Sequence, residues 1–385
     1  MAGVARALVV GAGLAGPAVA RGLAARGIAV DLVEQRSEAA ELGAGLLLTG
    51  NALVALDALG VGTAVRAAGR EVDVGRFADA AGRPLFELAV GAARGWPPFV
   101  SIARAALRRA LVETPPALVL RAGTTVASID ATATPLRVRL SDGSEADYDL
   151  VIGADGVHSE LRRRVFGAPP PAPIAGFSGW RFVVRARVEV AAPTWFLANG
   201  CTLLLHPLRD GEVYCGAGPV EASRVGDAGG DLERLRAAFA DFGEPVAGFL
   251  ASLPPDVRPA PTRYWEIAQE PWRRGRCLLV GDAAHACAPT LAQGAALAFE
   301  DAVVLCEELD RTRDVDAALA GFVGRRRARV ARVQRASRER MEANRPQGAR
   351  SLAIRDQVLR RFGARQLERE WAALVAWRPG GGEPR

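Results

Sequence analysis

Residues 7–36 read ALVVGAGLAGPAVARGLAARGIAVDLVEQR and predict a complete strand–helix–strand unit. The apolar run at 7–10 suits a strand that is buried on both faces of a parallel sheet. Gly11, Gly13 and Gly16 then form GxGxxG where the chain enters a helix. The first glycine permits a tight turn, the second lets a pyrophosphate approach the backbone, and the third lets the helix pack close to the strand.

Glu34 ends the second strand of this unit, which is predicted at 29–33. Its carboxylate can accept hydrogen bonds from a ribose 2′-hydroxyl, and it would repel a 2′-phosphate. A glycine-rich turn without a ligand is the alternative interpretation. Because strand, helix, second strand and terminal acid are all in register, the unit favours binding of an adenine dinucleotide.

The composition sets outer limits on the fold. With 385 residues and 50% hydrophobic content, the chain can bury one large core or the cores of two domains. Its five cysteines are scattered and form no CxxC pair, so the sequence predicts no metal site, no disulfide framework and reduced thiols in a cytoplasmic protein. No apolar run is long enough to span a bilayer, which predicts no membrane span.

The net charge is +6, and every basic residue is arginine, because the sequence contains no lysine. This bias is typical of an overall arginine-rich composition, and no nucleic-acid partner is predicted. The densest run, at 325–345, reads RRRARVARVQRASRERMEANR. A solvated helix face is the favoured interpretation of this run, and a partner-binding surface is the alternative.

Two further stretches place an acid at the end of an apolar strand. LVIGADGVHSELRRRV at 150–165 ends its strand at Asp155–Gly156, and the strand that begins at Cys277 ends at Gly281–Asp282. A loop with Pro289 follows the latter, and a helix begins near Gln293–Gly294. Because the carboxyl ends of parallel strands meet at one edge, we expect all three motifs to lie together there.

Strand-like alternation dominates elsewhere, and the predicted elements can be listed together. Hairpin or sheet strands are predicted at 71–90, 124–129, 136–140, 180–190, 201–206 and 212–218, with the 124–129 and 136–140 pair joined near Asp142–Gly143, and helices at 51–59, 101–111, 231–253 and 346–377. In the strand at 201–206, Thr202, Leu204 and His206 are expected on one face and Cys201, Leu203 and Leu205 on the other.

The three motifs GAGLAG…E, ADG and GDAAH…P…QG…ED, in this order and separation, resemble those of the FAD-dependent aromatic hydroxylases typified by p-hydroxybenzoate hydroxylase. The resemblance covers most of residues 1–340. It implies an α/β fold, with a Rossmann-type FAD-binding domain, an antiparallel-sheet substrate domain and C-terminal helices. We predict the FAD-binding domain at 1–70, 99–170 and 270–340, the substrate domain at 71–98 and 171–269, and the C-terminal helix and tail at 346–385.

The resemblance also implies non-covalent FAD and a set of residues that bind it. In that family the glycines of the first motif hold the pyrophosphate, the acid at 34 holds the ribose, and the acid at 282 binds the ribityl chain. The predicted cofactor-binding residues are Gly11, Gly13, Ala15, Gly16, Glu34, Gln35, Arg36, Gly45, Arg104, Val126, Asp155, Gly156, Gly281, Asp282, Pro289, Gln293 and Gly294. The family often has GQGxN where this chain has AQGAA, so Ala292 and Ala296 depart from it.

The function implied by the resemblance is oxygen transfer. NADH or NADPH reduces the flavin, O2 adds to form a C4a-hydroperoxyflavin, and its distal oxygen passes to a small aromatic, heteroaromatic or polycyclic aromatic substrate. No catalytic residue is assigned. Candidates for the substrate pocket are His206, Arg181, Trp195, Tyr214 and Pro289. His206 leads them as an acid–base group, although a strand histidine bonded within the sheet is the more ordinary interpretation.

Two other functions use the same motifs: a flavin-dependent reductase or dehydrogenase that never inserts oxygen, and a flavin-binding protein without turnover. A flavin-dependent halogenase is disfavoured because that family relies on a catalytic lysine and this chain has none.

Overall fold

The computed structural model describes residues 3–37, 44–113, 118–186, 190–221, 229–268 and 271–381. The strands are β1 Arg6–Val10, β2 Ala29–Glu34, β3 Gly45–Leu48, β4 Arg70–Val72, β5 Val74–Asp79, β6 Pro84–Ala89, β7 Phe99–Ala103, β8 Leu120–Ala122, β9 Val126–Asp130, β10 Leu136–Leu140, β11 Glu145–Tyr148, β12 Leu150–Gly153, β13 Pro173–Arg185, β14 Thr194–Leu197, β15 Cys201–Pro207, β16 Glu212–Glu221, β17 Ala260–Trp265, β18 Arg273–Arg274 and β19 Cys277–Leu279.

The helices are α1 Ala15–Ala24, α2 Gly50–Ala58, α3 Gly62–Ala68, α4 Arg104–Glu113, α5 Glu160–Phe166, α6 Asp231–Ala238, α7 Val246–Ser252, α8 Asp282–His285, α9 Gly294–Arg311, α10 Val315–Glu342 and α11 Ala349–Val375. Among the described residues, short 3₁₀ helices lie at Gly91–Arg94 and Pro289–Leu291. No helix in the described ranges combines the length and apolar character needed to cross a bilayer.

A six-stranded sheet with the order β18-β19-β12-β1-β2-β8 forms the centre of the molecule. All of its pairings are parallel except that of β18 with β19. Strand β1 lies in the middle because its residues Leu8 and Val9 are fully buried on opposite faces. The α/β fold class and the Rossmann-type strand–helix–strand unit are therefore confirmed.

The carboxyl ends of four of these strands, β2, β1, β12 and β19, are joined to one another by backbone hydrogen bonds. Gly11 N donates to Val33 O at 2.8 Å, and Ala154 N donates to Val10 O at 2.8 Å. Val280 N extends the chain of contacts by donating to Gly153 O at 3.0 Å. The three sequence motifs consequently lie at one edge of the sheet, as expected.

A second, seven-stranded sheet has the order β17-β13-β16-β15-β14-β5-β6. Its outer face packs against α6 and α7, and the predicted alternation along β15 holds there, because Cys201, Leu203 and Leu205 belong to that apolar core. Its inner face turns toward the rest of the molecule, where Tyr214 lies against Gly45 of β3. The sheet joins segments from both predicted pieces of the substrate domain, and the division into domains stays a prediction.

Several element boundaries differ from the sequence-based expectation. The segment 101–111 is not helical throughout, because Phe99–Ala103 forms β7 between β3 and β4. Pairing on both sides overrides the helical pattern of this apolar run. The turn at Asp142–Gly143 joins β10 to β11, and β9 reaches β10 through residues 131–135.

Two other segments are also corrected. Residues 231–253 form two helices, since Asp231–Ala238 ends before Pro245 and a second helix begins at Val246. The strand expected at 180–190 begins earlier, at Pro173, and ends at Arg185; residues 187–189 lie outside the described residues. The closing helix expected at 346–377 is present as α11, whose Gly363 packs directly against the Phe86 ring of β6.

The arginine-rich run at 325–345 is not simply a solvated face, because two of its arginines are buried. Arg326 donates from Nε to Asp301 Oδ1 at 2.8 Å and from Nη1 to Glu300 Oε2 at 2.8 Å. Arg329 donates from Nη2 to Glu300 Oε1 at 2.9 Å and to Leu374 O at 2.7 Å. This buried ion cluster, defined as Glu300, Asp301, Arg326 and Arg329, joins α9, α10 and α11.

We expect Arg326→Met to destabilise the protein by about 3–5 kcal/mol, because it leaves two buried carboxylates short of their charge partner. Urea unfolding followed by circular dichroism measures this change. Arg327→Ala is the matched control, since Arg327 is exposed on the same turn and should change the free energy of unfolding by less than about 0.5 kcal/mol. If Arg326→Met were as stable as the wild type, the role of the cluster would be contradicted.

Candidate functional site

The glycine-rich loop between β1 and α1 has the geometry that its sequence predicts. Gly11 has a φ of +102°, and a Cβ there would lie 2.5 Å from Ala154 O. A Cβ at Gly16 would lie 1.8 Å from Gly11 O, so only glycine lets α1 approach the strand. At Gly13 the nearest atom would be Arg104 Nη2 at 3.6 Å. The second glycine therefore faces open space at the mouth of the loop.

Glu34 closes the other side of this loop. Its Oε2 accepts a hydrogen bond from Ala12 N at 2.9 Å, and its Oε1 accepts one from Arg36 N at 3.1 Å. Its backbone carbonyl also accepts from Thr124 N at 2.8 Å. This last contact brings the start of β9, with the buried Val126, beside the acid. Ala15 is the first residue of α1, and Gln35 directly follows Glu34.

Asp155 follows β12 at the same sheet edge, and Gly156 after it has a φ of +78°. Asp155 Oδ2 accepts from Leu161 N at 3.1 Å, at the start of α5. Its Oδ1 is buried with no hydrogen-bond partner among the described residues. Burial raises the pKa of this carboxyl above its usual range. An unpaired oxygen of this kind fits a position that a ligand completes.

Asp282 is exposed at the start of the one-turn helix α8, directly after Gly281, whose φ is +57°. The loop is held from behind, because Asp301 Oδ2 accepts from Gly281 N at 2.9 Å and bonds to His285 Nε2 at 2.7 Å. Burial alone would raise the pKa of Asp301, but His285 and Arg326 lower it to about 2. The ionised Asp301 thus fixes the backbone that presents Asp282.

The segment that departs from the family pattern shows why a glycine is usual there. Ala292 has a φ of +55°, in the left-handed region that costs an alanine about 1 kcal/mol. Ala296 is fully buried in the main core, so an amide at this position would also have to be accommodated inside α9. The Gln293 side chain lies in the interior, where its Oε1 accepts from Asn51 Nδ2 at 3.0 Å. Pro289 and Gly294 remain accessible beside it.

Arginines surround the cleft in front of this edge. Arg104 remains exposed in the open cleft, yet the protein around it lowers its pKa by desolvation, and Arg181, Arg36 and Arg108 lower it further. Asp282 acts in the opposite direction. A group of guanidinium groups that disfavour the charge of Arg104 fits an anionic diphosphate. The residues present therefore fit a dinucleotide with a diphosphate bridge.

The inner face of the seven-stranded sheet brings two of the predicted pocket residues together. Arg181 is half-buried on β13, with the Tyr264 ring 6.0 Å from its guanidinium carbon. Desolvation lowers the pKa of Arg181, but Tyr214, Tyr264 and Asp282 outweigh it and raise the pKa above its usual value. Arg181 forms no ion pair with any described residue. A Cβ on Gly45 would lie 2.5 Å from Tyr214 Cγ, so Gly45 makes room for that ring.

Two other predicted pocket residues, His206 and Trp195, are held by contacts within the sheets. His206 is fully buried, its Nε2 lies 2.8 Å from Ser101 Oγ, and burial together with Arg70 lowers its pKa to about 3. His206 is thus bonded within the sheets, which favours the more ordinary of its two interpretations. Trp195 stacks on Phe77 with 4.8 Å between ring centroids and an interplanar angle of 6°. That stack fills space between β5 and β14.

Sequence reasoning missed three contributors to the site. Arg108 donates from Nε to Ala12 O at 2.8 Å and so buttresses the glycine-rich loop. Tyr264 and Asn51 are the others, and their positions depend on strands and helices far apart in the chain. The helical spacing of Arg104 and Arg108, four residues apart, was the one available signal. Among the described residues, no group of three or more His, Cys, Asp or Glu could hold a metal ion, and all five cysteines are free.

Comparison with known proteins gives a consistent result. A family model described as FAD binding domain matches residues 5–194 and 252–337. The chain is 33% identical to 3-hydroxybenzoate 6-hydroxylase of Klebsiella oxytoca over 88% of both chains. It is 35% identical to 2-heptyl-3-hydroxy-4(1H)-quinolone synthase of Pseudomonas aeruginosa over 77% of this chain and 79% of that one.

The fold also matches a crystal structure of Klebsiella pneumoniae HpxO complexed with FAD and uric acid. The TM-score is 0.86 at 27% sequence identity, and the match covers 98% of both chains.

The depressed pKa of His206 generates a prediction about acid stability. The unfolded chain protonates this imidazole below about pH 6.5 and the folded protein does so only near 3, so stability falls as the pH drops through this window. His206 contributes up to about 1.4 kcal/mol per pH unit to that slope. In His206→Gln, the free energy of unfolding measured in urea from pH 7 to 4 should fall less steeply.

His158→Gln is the matched control for this measurement, because His158 is exposed just before α5. It should keep the wild-type slope. An unchanged slope in His206→Gln would show that the folded protein protonates His206 as readily as the unfolded chain does.

Proposed function

Because this chain belongs to the FAD-dependent monooxygenases that hydroxylate aromatic rings, we propose that it acts on a small aromatic or heteroaromatic compound that bears an acidic group. The balanced reaction is NAD(P)H, a proton, O2 and the aromatic C–H compound giving NAD(P)⁺, water and the hydroxylated ring. The chain binds FAD, which supplies the redox and oxygen chemistry when bound. The protein itself must bind and orient the substrate beside the cofactor and exclude water from the site.

The observation that carries the substrate class is the position of Arg181. Its guanidinium is half-buried on the inner face of the sheet, flanked by Tyr214 and Tyr264, and it forms no ion pair with a described carboxylate, although Asp282 favours its charge. A cation held in such surroundings is stabilised by an anionic group on the ligand. A carboxylate, or an acidic ring oxygen, is the chemical group that fits.

The cofactor roles follow the placement of the motifs. The backbone N–H groups at the start of α1 and the guanidinium of Arg104 would hold the diphosphate, and Glu34 would hold the adenosine ribose. Glu34 accepts one backbone hydrogen bond on each carboxylate oxygen, from Ala12 N and Arg36 N, and its remaining lone pairs would accept from a ribose hydroxyl of the ligand. Asp282 would bind the ribityl chain, and Pro289 would lie beside the flavin ring and the substrate.

Water exclusion is the requirement that separates oxygen transfer from simple reduction. The inner face carries Leu204 and Trp195 in register with Gly216 and Arg181, so apolar side chains continue the row that begins at the cation. An aromatic ring bound by Arg181 would extend over this apolar row and shield the flavin edge from water. A reductase without oxygen insertion needs no such shielding, and the similar protein of Klebsiella oxytoca is named a hydroxylase.

Glu34→Ala should weaken FAD binding by roughly 10- to 100-fold, since charged hydrogen bonds to the ribose are worth about 1.5–3 kcal/mol. Titration of apoprotein with FAD, followed by flavin fluorescence, measures the dissociation constant. Glu145→Ala, in the exposed strand β11, is the control and should bind as the wild type does. Equal affinity for both variants would mean that Glu34 does not face the ribose.

The substrate proposal is tested with a panel of aromatic acids and their neutral amides. We expect the right acid to stimulate NAD(P)H oxidation, to lower the peroxide released per NAD(P)H, and to gain one atom from ¹⁸O2 by mass spectrometry. Arg181→Gln should raise KM for that acid by roughly 10- to 100-fold, because a charged hydrogen bond is lost. FAD binding, measured by titration, should remain.

Arg185→Gln is the matched control, since Arg185 lies on the same strand but is exposed at its end. If the amides react as well as the acids in the wild type, the anionic substrate class is wrong. If NAD(P)H is oxidised without incorporation of labelled oxygen for any compound, the reductase interpretation replaces the hydroxylase.

A further inference from the structure

Helix α11 carries a row of large apolar side chains that no described residue covers. Ile354 is 61% exposed, Val358 44% and Phe362 47%. Their spacing of four residues places them in one row along the helix, about 12 Å long. The opposite side of α11 is the buried one, and it packs Gly363 and Trp371 against the molecule. Among the described residues, Val119 is the one other large apolar side chain as exposed as these.

A row of arginines lies beside this apolar row. Arg361 and Arg365 stand three positions after Val358 and Phe362, and Arg369 continues their row by another turn. All three are exposed, and none forms an ion pair with a described residue. The acids of α11 are already engaged: Asp356 with Arg355, Glu368 with Arg94 and Glu370 with Arg340. The exposed face therefore has positive charge without a balancing carboxylate.

We propose that this face of α11, defined as Ile354, Val358, Phe362, Arg361, Arg365 and Arg369, docks on the surface of an anionic lipid bilayer. Helices that lie in a membrane interface combine an apolar strip with basic residues beside it. The three apolar side chains enter the boundary between headgroups and acyl chains. The arginines reach the lipid phosphates, with their alkyl stems along the apolar surface. The Arg361 guanidinium already lies over the Phe362 ring, 5.6 Å from its centroid.

Charge argues against a second copy of the chain as the occupant. In a two-fold dimer the same patch faces itself, so the arginine rows of the two copies would share one interface. Such like-charge contacts are unfavourable when they are desolvated. A lipid surface provides the missing negative charge and an apolar layer at the same depth. Docking of this kind is independent of the substrate proposed above.

The test is co-sedimentation of the FAD-loaded protein with vesicles of phosphatidylcholine alone or with about 30 mol% phosphatidylglycerol. We expect binding to the anionic vesicles, little binding to the neutral ones, and weakening as salt is raised. Val358→Ser with Phe362→Ser should reduce the partition coefficient about tenfold, because the apolar contribution is lost. Arg361→Gln and Arg365→Gln should each reduce it about fivefold.

Two control variants match these changes elsewhere on the surface. Val119→Ser removes an exposed apolar side chain, and Arg139→Gln removes an exposed arginine that forms no ion pair with a described residue. Both variants should bind vesicles as the wild type does. Retained flavin absorbance shows that every variant is folded. Equal binding to neutral and anionic vesicles, or none to either, overturns the proposal.

Two other outcomes would also overturn it. If light scattering shows an oligomer that Val358→Ser with Phe362→Ser dissociates, the face is a contact between copies. If added heparin displaces the protein from the vesicles while the serine substitutions leave vesicle binding unchanged, the arginines recognise a soluble polyanion.

Discussion

Two adjacent carboxylates inside the protein, Glu300 and Asp301 of α9, impose the constraint on which much of the structure depends. Buried carboxylates must be paired, and Arg326 and Arg329 of α10 supply the charge. Arginine suits this position because its five N–H donors let one guanidinium serve two acids and a backbone carbonyl. The pairing fixes the distance between α9 and α10.

The same carboxylates reach the cofactor edge of the sheet. Asp301 holds the backbone of Gly281, and Glu300 Oε1 accepts from Asn51 Nδ2 at 2.7 Å, which in turn contacts Gln293. Asp282 is thus positioned by an interior charge and not by the loop alone. The glycine-rich loop, whose geometry depends on local sequence, and the Gly281 loop, which is held by Asp301 of a distant helix, therefore lie at the same edge of the sheet.

Sequence reasoning succeeded where the physical constraint is local. The spacing of Gly11, Gly13 and Gly16, with Glu34 at the end of the next strand, predicts a tight turn, close packing of helix on strand and a bound dinucleotide. All three features belong to one strand–helix–strand unit. It failed where partners come from distant parts of the chain. Nothing in the run at 325–345 distinguishes the buried Arg326 from the exposed Arg327, because the difference is made by carboxylates on another helix. The packed position of His206 likewise depends on its hydrogen bond to Ser101, which lies 105 residues away in the sequence.

The cluster of arginines around the cleft has a consequence for how long the protein survives without its cofactor. Arg36, Arg108 and Arg181 each disfavour the positive charge of Arg104, and Asp282 opposes them. A bound diphosphate would relieve that repulsion, so part of the binding energy appears as stabilisation of the folded state, which grows with free cofactor concentration by mass action. Cellular abundance of this protein should therefore follow riboflavin supply, with proteolysis removing the apoprotein first when flavin is scarce.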